Sequence, residues 1–163
     1  MKYAEIKEFD VANGPGIRVS LWTQGCSHRC PNCFNKETWD FCKGKEFTYE
    51  QIEEIKNLLK SSPIKKDFSI LGGDPLEKPN LPMLEILLEE LKTEFPTLNI
   101  WLWTGYTWDE IKHLDLMKYI DVVVDGKFIE ELKDLRLKFR GSSNQRIIDV
   151  QKSLESGTIQ ELE

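Results

Sequence analysis

The chain has 163 residues, a net charge of −6, and a composition of 40% hydrophobic and 31% charged residues. This length predicts a single domain spanning residues 1–163. The negative charge argues against a nucleic-acid-binding protein, which would carry a basic surface. The sequence contains no apolar run approaching the roughly eighteen residues of a membrane span, so we expect no membrane association. The charged N-terminus and the bunching of three of the four cysteines indicate a cytoplasmic protein rather than a disulfide-stabilised secreted one.

Short apolar segments alternate with amphipathic helices along the chain. Capping-box patterns at Thr48 and Thr107 and a proline at position 82 mark three helix starts. The predicted strands are 17–23, 67–71, 98–103, 120–124 and 146–150. Strand–helix alternation predicts a parallel sheet, and a complete eight-unit barrel requires about 250 residues. We therefore expect an α/β fold, built as a partial, open, parallel (β/α) barrel.

Loops with unusual composition follow the first four predicted strands. They are the cysteine-rich loop, Gly-Gly-Asp-Pro at 72–75, Thr-Gly at 104–105 and Asp-Gly-Lys at 125–127. In open parallel sheets, ligands bind beyond the carboxyl ends of the strands. The four loops are therefore expected to form one site at one edge of the sheet.

Cys26, Cys30 and Cys33 form a Cys-x3-Cys-x2-Cys pattern directly after the first predicted strand. Three clustered thiolates form a metal-ligand set that lacks one member, because structural zinc sites and cubane clusters usually have four protein ligands. One interpretation is a 4Fe–4S cluster whose fourth iron is open to substrate. The other is a zinc knuckle completed by Cys42 or His28.

The Gly72-Gly73-Asp74 segment also allows two interpretations. The glycines would let the backbone approach a ligand closely, and Asp74 could accept hydrogen bonds from an ammonium group. Alternatively, the segment is a tight turn, because Gly-Gly and Asp-Pro are common turn dipeptides.

Several motifs resemble those of one enzyme family. The cysteine spacing is similar to that of the radical S-adenosylmethionine superfamily, and Gly-Gly-Asp resembles its Gly-Gly-Glu motif. The segment Gly-Pro-Gly-Ile-Arg (14–18) resembles the entry segment of glycyl-radical-activating enzymes. The segments Trp-Leu-Trp-Thr-Gly-Tyr (101–106), Val-Asp-Gly-Lys-Phe (124–128) and Arg-Gly-Ser-Ser-Asn-Gln-Arg (140–146) resemble those of the activating proteins of anaerobic (class III) ribonucleotide reductases. Two positions depart from the pattern, since Asn32 stands where an aromatic residue is common and Phe34 where Tyr is common.

The resemblance implies a fold, a cofactor set and a reaction. The fold would be the partial barrel of radical S-adenosylmethionine enzymes. A 4Fe–4S cluster on Cys26, Cys30 and Cys33 would reductively cleave S-adenosylmethionine to methionine and a 5′-deoxyadenosyl radical. That radical would take a hydrogen atom from a glycine of the reductase. The implied S-adenosylmethionine-binding residues are Gly72, Gly73, Asp74, Thr104 and Asp125.

The resemblance also implies two protein partners and leaves two alternatives open. The partners would be the catalytic subunit of the anaerobic ribonucleoside-triphosphate reductase and an electron donor such as flavodoxin or ferredoxin. One alternative is an activator of another glycyl radical enzyme, of the pyruvate formate-lyase type. The other is a non-catalytic, zinc-binding interaction module.

Overall fold

A computed structural model describes residues 1–162, in which the chain forms seven strands and four α-helices around one sheet. The strands are β1 (Lys2–Asp10), β2 (Arg18–Gln24), β3 (Lys45–Glu46), β4 (Asp67–Gly72), β5 (Ile100–Trp103), β6 (Val122–Asp125) and β7 (Arg146–Asp149). The helices are α1 (Tyr49–Lys60), α2 (Leu81–Glu94), α3 (Trp108–Ile111) and α4 (Val150–Ser156). No helix among these residues is both long and apolar enough to cross a membrane.

The sheet is open, with the strand order β3-β1-β2-β4-β5-β6-β7. Strands β2, β4, β5 and β6 are parallel neighbours, whereas β1, β3 and β7 pair antiparallel at the two sides. The prediction of an open α/β sheet is confirmed, but the parallel arrangement holds only for the central strands. Strand β7 follows β6 without an intervening α-helix, so it returns alongside β6 in the opposite direction.

Strand β1 was not predicted, although its alternation of charged and apolar residues is the pattern of a half-buried strand. It pairs with β2 over most of its length, which places it between β2 and the short strand β3. The five predicted strands are confirmed with boundaries within two residues. The helix after Thr107 is predicted to reach about Leu114, but α3 ends at Ile111 and 3-10 turns follow at Asp115–Tyr119.

The connection from β1 to β2 is held by a completely buried arginine. The Arg18 guanidinium donates to the Ser69 hydroxyl (2.7 Å), to the Phe68 carbonyl (2.9 Å) and to the Asn99 carbonyl (2.9 Å). Burial lowers its pKa to about 10. Gly14 has a φ of +108°, and a Cβ there would lie 2.8 Å from Arg18 Cδ. The Gly-Pro-Gly-Ile-Arg segment is therefore a structural anchor between β1, β2 and β4.

The main core lies between the sheet and the helices on one face. Alternate strand residues such as Leu21, Ile70 and Leu102 pack there against Ile55 of α1 and Leu87 of α2. All five side chains are fully buried. Burial of such side chains contributes about 1.5–3 kcal/mol each relative to exposure, so this face supplies most of the apolar stabilisation.

The opposite face carries a smaller cluster and a cavity. Trp101, Val122, Val124 and Ile147 form the buried part of that cluster. Alternate residues of β2, β4 and β5 that point away from the helices line the cavity beside it. The cavity therefore lies on the helix-free face, next to the carboxyl ends of the parallel strands.

Candidate metal centre

The cysteine loop begins at the carboxyl end of β2 and is closed by backbone hydrogen bonds. The Gly25 amide donates to the Thr38 carbonyl (2.7 Å) and the Cys26 amide to the Trp39 carbonyl (3.1 Å). The Gln24 side-chain amide donates to two further carbonyls of the loop, at 3.1 and 2.9 Å. Both ends of the loop are therefore fixed beside the end of β2, and the intervening residues are positioned over the cavity.

Cys26, Cys30 and Cys33 all line this cavity, whose volume is about 590 Å³. Cys26 is 8% exposed, and Cys30 and Cys33 are half-buried. Cys42 is exposed and is not among the lining residues. The structure therefore brings together the three cysteines of the triplet and leaves Cys42 outside, which does not support Cys42 as a fourth ligand.

The thiol chemistry of the triplet fits an iron–sulfur cluster. Burial raises the pKa of the Cys26 thiol to about 11 and also raises that of Cys30. Metal binding must displace these protons, because the thiolate is the ligand form. Three soft thiolates beside a cavity suit an iron–sulfur cluster.

The glycine pair at the end of β4 allows the cysteine loop to pack closely. Gly72 has a φ of +110°, and a Cβ there would lie 2.5 Å from the backbone of Thr23. A Cβ on Gly73 would lie 2.4 Å from the Gly25 carbonyl oxygen. The amides of Gly73 and Asp74 donate to the Thr23 and Gly25 carbonyls at 2.9 and 3.0 Å. The pair is thus required for contact between the ends of β2 and β4.

Asp74 is 1% exposed, and its carboxylate joins three loops. It accepts hydrogen bonds from the Thr104 hydroxyl (2.9 Å to each oxygen), the Gly105 amide (2.8 Å) and the Leu76 amide (2.9 Å). It also pairs with His28 Nε2 at 2.5 Å. Because this carboxylate already has several donors, it acts here as the point that fixes the cysteine loop to the loop after β5.

Glu77 is a site residue that the sequence analysis missed, and His28 was considered only as a possible fourth zinc ligand. The His28 ring lies between Asp74 and the edge of Tyr106, and the His28 and Tyr106 ring centroids are 4.6 Å apart. Buried Glu77 accepts hydrogen bonds from the Ser27 amide (2.7 Å) and hydroxyl (2.6 Å). The position of His28 within the cysteine loop was a usable signal. Nothing in the sequence connects Glu77 to Ser27.

Thr104 and Asp125 have different surroundings. Thr104 lines the cavity, bonds to Asp74, and donates its amide to the Val124 carbonyl at 3.0 Å. The buried Asp125 carboxylate accepts from Arg146 Nε (3.0 Å) and Nη2 (2.6 Å) and from the Trp108 amide (2.8 Å). Asp125 thus joins the end of β6 to the start of β7 and to the start of α3.

The five predicted S-adenosylmethionine-binding residues therefore form two groups. Gly72 and Thr104 line the cavity. Gly73, Asp74 and Asp125 are not among the lining residues and lie in the layer that supports the wall.

The segment after β6 forms another wall of the cavity and is held by amide side chains. Gln145 Oε1 accepts the Gly141 amide (2.9 Å), and Gln145 Nε2 donates to the Gly126 carbonyl (3.0 Å). Asn144 Nδ2 donates to the Lys127 carbonyl at 2.8 Å. Through these bonds, the Arg-Gly-Ser-Ser-Asn-Gln-Arg motif holds the Asp-Gly-Lys turn in place.

The large apolar residues that line the cavity are Trp22, Phe34, Trp39, Leu71, Trp103, Phe128, Leu135, Leu137 and Phe139.

Comparison with known proteins agrees with this centre. Residues 12–148 match a family described as a 4Fe-4S single cluster domain. The chain is 45% identical to the anaerobic ribonucleoside-triphosphate reductase-activating protein of Vibrio cholerae, covering 90% of this chain and 97% of the relative. It is 43% identical to the protein of that name from Escherichia coli K12 (89% and 96% covered). It is 42% identical to that of Enterobacteria phage T4 (90% and 93% covered). The chain therefore belongs to the family of anaerobic ribonucleoside-triphosphate reductase-activating proteins, which carries the 4Fe-4S single cluster domain.

Proposed function

We propose that this protein generates the glycyl radical on the anaerobic ribonucleoside-triphosphate reductase, as a radical S-adenosylmethionine activase with a partial barrel of that type. The observation that carries the proposal is the convergence of Cys26, Cys30 and Cys33 on one cavity, with Cys42 outside it. Family membership gives the reductase as the partner.

The three cysteines would hold a 4Fe–4S cluster and leave one iron free for S-adenosylmethionine. When bound, this cluster supplies the electron that cleaves S-adenosylmethionine into methionine and a 5′-deoxyadenosyl radical. The chain itself has to position the ligands and exclude water. The apolar lining of the cavity supports this role, because it shields a reactive species from solvent.

We infer separate roles for the two groups of predicted binding residues. Gly72 and Thr104 would contact S-adenosylmethionine directly, since both line the cavity. Gly73 keeps the cysteine loop close to β4, and Asp74 orients the hydroxyl of Thr104. Asp125 would contribute by holding the turn after β6 through its Arg146 pair.

The open side of the cavity suits a protein substrate. Leu135, at its wall, is 84% exposed, and the exposed Arg136 lies next to it. The glycine-bearing segment of the catalytic subunit would enter here. An electron donor such as flavodoxin or ferredoxin would reduce the cluster. Both partners, and the thiols that must stay reduced, favour the cytoplasm.

The test is anaerobic reconstitution with iron and sulfide, followed by incubation with dithionite, S-adenosylmethionine and the reductase. We expect a brown protein whose visible absorption is bleached by dithionite, formation of 5′-deoxyadenosine, and a glycyl radical on the reductase detected by electron paramagnetic resonance. A radical on pyruvate formate-lyase but not on the reductase would instead support the first alternative. A colourless protein that forms no cluster even after a chelator has removed any bound zinc would contradict the proposal.

A further inference from the structure

A second set of metal-binding groups lies beside the triplet. One ligand atom each of Cys26, His28 and Glu77 lies within 4.8 Å of the other two. Among residues 1–162, no other group of three His, Cys, Asp or Glu side chains meets the same criterion. Cys26 and Glu77 are buried and His28 is half-buried. Cys30 and Cys33 are not part of this group.

The fold positions these three residues through contacts that do not involve the rest of the triplet. Glu77 follows the turn after β4 and holds the cysteine loop through both polar groups of Ser27. His28 uses Nε2 to bind Asp74, which leaves Nδ1 as the nitrogen available to a metal. A ligating histidine commonly donates its other N–H to a carboxylate, which fixes the ring and strengthens the ligand. The Asp74–His28 pair has this arrangement.

We propose that the cluster-free protein binds one Zn²⁺ ion through Cys26, His28 and Glu77. The Cys26 thiol would release its proton as the zinc–sulfur bond forms. A thiolate and a carboxylate together neutralise the ion, and thiolate sulfur, imidazole nitrogen and carboxylate oxygen are the ligand types zinc prefers. Tetrahedral zinc holds such atoms about 3–4 Å apart, so a small inward movement of the side chains completes the site. Cys26 and His28 line the cavity, where a water molecule would take the fourth position.

Zinc and the cluster would exclude each other, because both require Cys26. This part of the inference rests on the proposed cluster ligands, whereas zinc binding itself does not. Zinc-loaded protein would be unable to assemble the cluster until the ion is removed. The site would therefore act as an inhibitory metal site on the cysteine loop.

The first experiment titrates Zn²⁺ into the cluster-free, fully reduced protein against a chromophoric chelator. We expect one ion per chain, with Glu77→Gln and His28→Ala each lowering the affinity by about tenfold or more. Cys30→Ala and Cys33→Ala are the matched controls and should keep the wild-type affinity. Thermal unfolding of each variant checks that it is folded.

Two results would overturn the zinc site. One is the absence of zinc binding by the wild-type protein under these conditions. The other is a loss of affinity in Cys30→Ala equal to that in Glu77→Gln, which would place the ion among the three cysteines.

The second experiment supplies iron and sulfide to zinc-loaded and zinc-free protein in parallel. We expect cluster absorption only in the zinc-free sample, and in the loaded sample after a chelator is added. Equal cluster formation in both samples would contradict mutual exclusion. If the zinc-free sample also forms no cluster, this result would count against the proposed cluster. The zinc titration would still test the zinc site independently.

Discussion

Alternate residues of β2, β4 and β5 face opposite sides of the sheet, and the two sides bury different groups. Leu21, Ile70 and Leu102 pack against helices in an entirely apolar layer. Trp22, Leu71 and Trp103 line the cavity, beside loops whose buried groups are a thiol and carboxylates. The helix-covered side is stabilised by apolar burial. The cavity side is held together at the strand ends by hydrogen bonds to charged groups, which are costly when left unpaired.

This difference teaches that stability and metal chemistry depend on separate sets of side chains in the same strands. Substitutions on the helix-covered side should change the free energy of unfolding and leave the cavity chemistry intact. Substitutions of the cysteines at the cavity should do the reverse, whereas Asp74, which joins the loops behind the cavity wall, should affect both properties.

The largest effect is expected from the triplet. Cys26→Ala, Cys30→Ala and Cys33→Ala should each abolish the stable cluster and glycyl radical formation, because two thiolates remain. Cys42→Ala is the matched control and should retain both, since Cys42 is exposed and away from the cavity. Iron and sulfide content after anaerobic reconstitution measures the effect. Loss of the cluster in Cys42→Ala, with retention in a triplet variant, would refute the ligand assignment.

On the helix-covered side, Leu87→Ala should destabilise the fold without changing the site. Leu87 is fully buried in the main core, and removing such a side chain costs about 2–5 kcal/mol of unfolding free energy. Chemical denaturation of the cluster-free protein measures this change. Iron content per folded molecule should stay at the wild-type value, and a fall in it would show that the two sides are coupled.

Asp74→Ala should affect both properties moderately, because Asp74 joins the loops at the cavity. Removing its carboxylate leaves the buried hydroxyl of Thr104 and the amide of Gly105 without their acceptor. Such a loss costs about 1–3 kcal/mol of stability. We also expect S-adenosylmethionine affinity to fall more than cluster content. Unchanged affinity, measured on the reconstituted protein, would remove Asp74 from the binding role. Asp74→Asn keeps part of the hydrogen bonding, so its stability and S-adenosylmethionine affinity should lie between those of the wild type and Asp74→Ala.

The smallest effect is expected in the pH dependence of the free energy of unfolding of the cluster-free protein. Burial raises the pKa of Cys26 to about 11 from an ordinary thiol value of 9.0. The unfolded chain loses this proton first as the pH rises, so the stabilising contribution is complete below pH 9.0 and declines towards pH 11. Cys26→Ala should therefore lose less stability than wild type between these two values. If the free energy of unfolding falls equally steeply with pH in Cys26→Ala and in the wild type, the raised pKa of Cys26 would be contradicted.

Much of the local structure could be predicted from the sequence. Thr48 and Thr107 begin helices, and their amides donate to Gln51 and Glu110 at 2.7 Å, as the capping-box pattern predicts. The spacing of the cysteines and the position of each loop after a strand depend only on nearby residues. Apolar periodicity is likewise local, so it predicted the five strands within two residues.

The sequence therefore predicted the α/β alternation, the grouping of three cysteines after a strand, and the edge of the sheet where the loops gather. The folded chain alone shows the antiparallel direction of β7, the contact of Glu77 with Ser27, and the place of Asp74 behind the cavity wall. The physical reason is that these features depend on pairing between residues far apart in the chain. The apolar periodicity of a strand is the same whether it pairs parallel or antiparallel. The sequence around an aspartate likewise does not show whether its carboxylate contacts a ligand or a buried hydroxyl.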